Sequence, residues 1–364
     1  MYTKITLETI NRLTMVLYGF EVVSFKRLGG NANSNYKLVS KKGKNYFLKI
    51  CDEKTLEDLE FWVSYLNYMK TNNFETSFPI KLSIQGEIPE KTKVHGEYII
   101  QTNLDSKWVL LLLFDFLEGK SPNKENVTNK TLKLLGERIA KMHSIDLTNF
   151  YKTCELELPV FAMGIPQMLP FFEKMEKEQI TFPKNKKLQD FVPYLRNAAK
   201  QISPLVHEID KSVVPFSLVH ADIFLDNCIL SNDQSTIWIV DYEEICYQPM
   251  MLDLGMALVG TCISPQDNKL DIEKCESLLS GYINERTTPL QENEINRFNH
   301  FFIYSALSIA FWRFRQWCVL YPNTSETRTN SFLEMTQLIE IWEKEQSHIV
   351  LQIIKDCCNQ KLKN

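Results

Sequence analysis

The run His220, Ala221, Asp222, with Asn227 five residues after the aspartate and Asp241 fourteen after the asparagine, constrains this chain more than any other stretch. Such a set suits phosphoryl transfer. One aspartate takes the proton of an attacking hydroxyl, while an asparagine five residues on and a later aspartate hold magnesium. Asp222, Asn227 and Asp241 fit those roles in order. The last carboxylate must follow an apolar strand that fixes its position, and Ile237, Trp238, Ile239 and Val240 supply that run directly before Asp241. HxD and DxE triplets each arise by chance in a chain of this length, so it is the ordered set that carries the reading.

With 364 residues the chain is long enough for two lobes. Hydrophobic residues at 44% and charged residues at 24% are ordinary for a globular protein and lack the polar bias of disorder. A net charge of −4 gives no broad basic face for nucleic acid, so an anionic ligand such as ATP has to be met by local cations and a metal. The nine cysteines form no CxxC pair and follow no secretory leader, which predicts a reducing cytoplasm. The longest apolar run, Trp108 to Phe114, is far short of the roughly 20 residues a membrane helix needs and reads as a buried strand.

From Glu21 to Ile50 the pattern predicts an antiparallel meander, broken by the loop Leu28 to Asn35. Gly29 and Gly30 there would let backbone amides approach phosphates, with Asn31 and Ser34 beside them, although a glycine-rich hairpin turn without a ligand is the commoner case. Lys49 sits in the next strand, where its side chain can face the α and β phosphates; the alternative is an ordinary solvent-facing strand lysine. A helix is expected over Thr55 to Asn72, carrying Glu57 and Glu60 as candidate partners of Lys49, with Glu57 preferred. Strands return between Pro79 and Phe116. The polar stretch Glu118 to Pro122 marks a lobe boundary, and Leu132, Leu135, Ile139, Met142 and His143 then recur at helical spacing. His143 reads as structural. Beyond Asp253 the pattern is helical, with an aromatic stripe (Trp312, Phe314, Trp317, Phe332, Trp342) that reads as core.

The segments LVHADIFLDN and IWIVDYEE, followed by LDLG at Leu252 to Gly255, closely resemble the aminoglycoside phosphotransferase and choline kinase superfamily. LGERIAKMH at Leu135 to His143 is similar to that superfamily's helix ahead of the catalytic region, and FDFLEG at Phe114 to Gly119 to its interlobe hinge. The resemblance implies an α+β, bilobal, protein-kinase-like fold. It expects a β-rich nucleotide-binding lobe over 1–115 and a mostly helical lobe over 116–364 with the catalytic loop and acceptor site. It further implies that adenine is read by backbone groups near Asp115, Phe116 and Leu117.

Among branches the chain looks most like type II homoserine kinases, through DLEFW at Asp58 to Trp62, the wording HADIFLDN and the helix ALSIAFWRFRQW at Ala306 to Trp317. Lys49 and the wording DYEE depart from that branch. In it an arginine on the late helix meets the acceptor's carboxylate, and Arg313 falls in the matching place; a bidentate guanidinium suits a carboxylate. Glu243 and Glu244, with Asp226, supply negative charge suited to an amino group, so a zwitterionic hydroxy amino acid satisfies both signs. Glu243 may be read as a substrate or metal contact. His220 and Asp253 read as supports that brace the loop. The expected activity is an ATP- and Mg2+-dependent small-molecule kinase, with homoserine the preferred acceptor and choline, ethanolamine, a sugar or an aminoglycoside behind it. A pseudokinase would be expected to lose one of Lys49, Asp222, Asn227 and Asp241. A protein kinase is disfavoured because no DFG follows the strand and no APE-like segment closes an activation loop.

Overall fold

Burial alternates residue by residue along β2 (Ser34–Ser40), as expected for a strand with only one covered face. In β3 (Asn45–Cys51) the alternation ends and its last four residues are buried together, because both faces are covered there. These elements come from a computed structural model that describes residues 3–29, 33–104, 106–177, 186–206 and 213–363. Gly30 and Asn31 lie outside the described residues.

The chain divides into two compact units. One runs to Gly119 and takes in Leu147–Glu157; the other comprises Lys120–Asp146 and the chain from Leu158 onward.

The first unit is built on a six-stranded antiparallel sheet. With β1 (Val22–Arg27), β4 (Thr92–His95), β5 (Ile99–Leu104) and β6 (Lys107–Asp115), the strand order is β1-β2-β3-β6-β5-β4. Trp108 to Phe114 is thus the inner strand expected from its apolar run, and Glu21 to Ile50 forms the meander. One face packs under helix α1 (Leu7–Tyr18), whose Ile10, Leu13 and Leu17 meet Leu38, Leu48, Leu111 and Leu113. Thr6 caps α1, and Gly19 ends it with φ of 72°, a left-handed conformation glycine adopts without strain. The sequence reading passed over α1 although its spacing and both caps were there to be found. Helix α2 (Leu56–Thr71) covers the other face and begins in a reciprocal capping box between Thr55 and Asp58. Its Trp62 ring lies 5.5 Å from that of Phe114.

The second unit is mostly helical. After the two-residue strand β7 (Gly119–Lys120) come α3 (Asn129–His143), the short α4 (Thr148–Thr153) that belongs to the first unit, α5 (Ile165–Lys177) and α6 (Lys186–Val206). Four short strands follow: β8 (Phe216–Val219), β9 (Cys228–Ser231), β10 (Ile237–Ile239) and β11 (Cys246–Pro249). The chain then runs through α7 (Met251–Thr261), α8 (Ile272–Glu285), α9 (Glu292–Phe314), α10 (Glu326–Thr329), α11 (Phe332–Ile341) and α12 (Ser347–Lys363). Helices α3 and α8 touch backbone to backbone: a Cβ on Gly136 would fall 2.0 Å from the Leu278 carbonyl, and one on Gly281 would fall 2.1 Å from that of Lys133. Most of the late aromatic stripe is core, with Phe302 stacked on Trp342 at 3.7 Å. Trp312 and Trp317 are the exceptions, half-buried and edge to face where α9 widens into the π-helical turns Arg315–Leu320. All nine cysteines are free thiols. Among the described residues no helix is long and apolar enough to cross a membrane.

Candidate active site

Strands β9 and β10 pair antiparallel with Ile239 opposite Cys228, and the Val240 N–H donates to the Asn227 carbonyl at 2.9 Å. The pairing sets Asn227, just before β9, beside the end of β10, from which Asp241 follows two residues later. Residues fourteen apart in sequence therefore lie at one end of one hairpin. Asp241 has φ of 70°, a left-handed conformation that aspartate tolerates better than most residues and that turns the chain into Tyr242–Glu244. Strand β8 delivers the other half of the site. It pairs with β11, Val219 opposite Cys246, and releases the chain into His220, Ala221 and Asp222.

Asp253, fully buried on the first turn of α7, holds that loop. Its Oδ2 accepts the His220 N–H at 2.8 Å and its Oδ1 the Ala221 N–H at 2.7 Å. Each such hydrogen bond to a charged group contributes about 1.5–3 kcal/mol. They offset the cost of Ala221, whose φ of 61° lies where a non-glycine residue loses about 1–2 kcal/mol. The same carboxylate meets His143 Nε2 at 3.1 Å, and His143 Nδ1 meets the Tyr282 hydroxyl at 2.9 Å. Burial pushes the Tyr282 phenol up, so it keeps its proton to donate. The ends of α3, α7 and α8 thus converge on one carboxylate. Sequence reasoning left Tyr282 out; its only signal was a lone tyrosine on a helix.

His220 has a defined tautomer. The Asp222 N–H donates to its Nδ1 at 3.2 Å, so the proton sits on Nε2, which donates to the Val240 carbonyl at 3.0 Å. Burial lowers its pKa, favouring the neutral ring that both bonds require. Asn227 is fixed as well: its Nδ2 donates to the Asp222 carbonyl at 2.9 Å and to Asp222 Oδ2 at 2.6 Å.

With its nitrogen committed to Asp222, Asn227 has its amide oxygen left for a cation, and Asp241 adds a carboxylate. Both are hard oxygen donors. Among the described residues no group of three or more His, Cys, Asp or Glu is arranged to hold a metal by itself. Asn227 and Asp241 are the residues here that would hold a divalent cation, which would supply positive charge beside the phosphates. Burial, reinforced by Glu244, Asp241, Asp226 and Glu243, raises the Asp222 carboxyl well above its ordinary range. Glu243 and Glu244 are half-buried on the turn after Asp241, and Asp226 is exposed. A cation among these carboxylates would reverse that shift.

In the first unit Lys49 is 1% exposed, so it is no solvent-facing strand lysine. Its Nζ lies 5.1 Å from the Trp62 ring. Register puts Asn35 directly opposite it. Ser34 falls on the other face, where its hydroxyl accepts the Thr3 N–H and donates to Asp52 Oδ2, both at 2.9 Å. The structure thus brings Asn35, rather than Ser34, to the face of Lys49. The Gly29 carbonyl accepts from Asn35 Nδ2 at 3.2 Å. Glu57 is exposed on α2 and Glu60 half-buried. In the segment Asp115 to Leu117, Asp115 pairs with Lys44 at 3.0 Å, and the Phe116 ring lies 4.2 Å from Lys37 Nζ. Phe116 and Leu117 are half-buried.

The profile of the phosphotransferase enzyme family (APH) matches residues 24–286. The chain belongs to that family. A homoserine kinase of Nitrobacter hamburgensis is 25% identical over 268 residues, 73% of this chain and 72% of that protein. Two solved structures share the fold at 15% identity. The amicoumacin kinase hAmiN, in complex with AMP-PNP, Ca2+ and Ami, has a TM-score of 0.66 and 93% of each chain covered. A microcompartment-associated aminopropanol kinase has a TM-score of 0.62, with 95% of this chain and 99% of that one covered. This phosphotransferase is therefore a small-molecule kinase by family, on a protein-kinase-like fold with its antiparallel sheet N-terminal and its helices C-terminal.

Arg313 of the phosphotransferase lies on the last turn of α9. Its Nη1 donates to the Ser331 carbonyl at 2.8 Å and to Glu334 Oε2 at 2.7 Å. The guanidinium is already bound to a carboxylate of its own chain, with its side chain 19% exposed.

Proposed function

We propose that the chain transfers the γ-phosphate of ATP to the hydroxyl of a small hydroxy amino acid, with homoserine the preferred acceptor. The observation that carries this reading is the Asp222–Asn227 pair, set beside Asp241 by the β9–β10 hairpin and braced from below by Asp253. Asp222 orients the acceptor hydroxyl and takes its proton as the phosphoryl group moves. Asn227 and Asp241 hold Mg2+, which neutralises charge on the transferred group. Lys49 steadies the α and β phosphates, and backbone groups of Asp115, Phe116 and Leu117 read the adenine. Gly29, Gly30, Asn31 and Ser34 were assigned to the phosphates from sequence. Of these Gly30 and Asn31 lie outside the described residues, and Asn35 is a better side-chain candidate on that strand than Ser34, because register puts it opposite Lys49. His220 and Asp253 position the loop without touching reactants.

The match to a homoserine kinase supports the acceptor, and the AMP-PNP and Ca2+ bound by hAmiN support a nucleotide with a divalent ion. Arg313 is proposed to meet the acceptor's carboxylate, with Glu243 near its amino group. One observation favours a second reading. Arg313 is already paired with Glu334, which an acceptor carboxylate would have to displace, and that suits an amino alcohol without a carboxylate. The free thiols support a reducing cytoplasmic setting. A panel of homoserine, aminopropanol, ethanolamine, choline, a hexosamine and an aminoglycoside, read by ADP release with Mg2+, separates the two readings. Homoserine should give the highest kcat/KM. Turnover of aminopropanol or ethanolamine with none of homoserine would discard the Arg313 assignment, and no turnover of any acceptor would discard the kinase reading.

A further inference from the structure

A cavity of about 270 Å³ opens in the first unit on the side of the sheet away from Lys49. The sheet's pleat fixes this placement. Tyr46 alternates with Phe47 and so shares the face of Leu48 and Ile50, which pack into the α1 core, while Lys49 points to α2. The volume sits near the lower end of small-molecule pockets, about 300–1,000 Å³.

One wall is flat and aromatic: Phe20 and Tyr46 stack at 4.3 Å with their rings 11° from parallel. Three ammonium groups, Lys44, Lys70 and Lys81, line the cavity against one lining carboxylate, Asp115. Lys44 pairs with Asp115 and lies 5.0 Å from the Tyr46 ring. Lys81 pairs with Glu97, which is not part of the lining. Lys70 stands 5.5 Å from the Phe78 ring. The Tyr18 hydroxyl is also in the lining; it is buried and has no hydrogen-bond partner of normal geometry.

We propose that this cavity is a second binding site, for a small flat monoanion whose apolar body lies on the Phe20–Tyr46 stack. Its carboxylate takes Lys70 and Lys44 and accepts from Tyr18. The excess of cation selects the charge, and the stacked pair selects the shape. The site owes nothing to the assignment of Asp222 or of the acceptor, so its test is a binding measurement rather than an activity.

Benzoate, its neutral isostere benzamide and inorganic phosphate are titrated calorimetrically into the full chain and into the Lys44→Gln, Lys70→Gln double variant. Both lysines are exposed, so the variant should unfold at the wild-type temperature and turn over its acceptor as before. Saturable binding of benzoate is expected, with benzamide and phosphate each about tenfold weaker or worse, and benzoate about tenfold weaker in the variant. Equal affinity for benzoate and benzamide would remove the charge argument, and equal affinity for phosphate would remove the stacking argument. Unchanged benzoate affinity in the variant, or no saturation at millimolar benzoate, would overturn the site.

Discussion

The catalytic loop and the segment around Arg313 both belong to the second unit, and both carry charged groups assigned to the reaction, yet they are held in opposite ways. Around Asp253 every described donor is internal and buried, from the amides of His220 and Ala221 to the ring of His143. Around Arg313 the partner is Glu334, whose side chain is 51% exposed, and the helix that carries Arg313 loosens into π turns two residues later. Screening by water makes the second arrangement cheap to rearrange, whereas loss of one partner in the first strands buried polar groups. If the roles proposed above hold, the chemistry is fixed and the acceptor contact adjustable.

The contrast can be broken most sharply at Asp222. Asp222→Asn should cut turnover by about 10²–10⁴-fold while ATP binding and unfolding temperature stay near wild type, as measured by ADP release and nucleotide titration. Asp253→Asn should differ by losing stability as well, about 2–4 kcal/mol in denaturant unfolding, because His220 and Ala221 lose a charged acceptor. If its stability were unchanged, the brace would be incidental. Gly260→Ala tests the contact of α7 with the same loop: the new Cβ would fall 2.3 Å from the Ile223 carbonyl, so a loss of about 1–3 kcal/mol is expected together with reduced kcat. Smallest should be the effects at the exposed pair. Glu334→Gln is expected to change stability by less than about 1 kcal/mol. If Arg313 serves the acceptor, that variant lowers KM for homoserine while Arg313→Lys raises it about tenfold. Equal KM values in all three proteins would leave the amino alcohol reading in place.

Local pattern made the loop readable. The spacing of Asp222, Asn227 and Asp241 is set by a hairpin whose strands are short and apolar, and so survives as a sequence interval. The meander, α2 and β6 followed from periodicity for the same reason. What stayed hidden depends on side chains distant in sequence. His143, Asp253 and Tyr282 come from three helices, and nothing in their separate contexts announces a shared carboxylate. Ser34 and Asn35 differ only in which face the pleat gives them, a register question that the loop composition left undecided. Arg313 was visible as a cation on a late helix, but Glu334 lies on the next long helix and gave no local sign of pairing with it.

The junction at Asp253 also bears on how the molecule is assembled. It ties residues 110 positions apart through His143 and 33 apart through His220, and His143 reaches 139 positions to Tyr282. Contacts so distant along the chain form only after the intervening loops have closed, and they are slow to form. A chain that has folded its catalytic hairpin still lacks the Tyr282 hydroxyl that holds His143 against Asp253 until α8 is in place. The brace under His220 and Ala221 is therefore complete only when α3, α7 and α8 have all docked, so a chain truncated before Tyr282 should lack it.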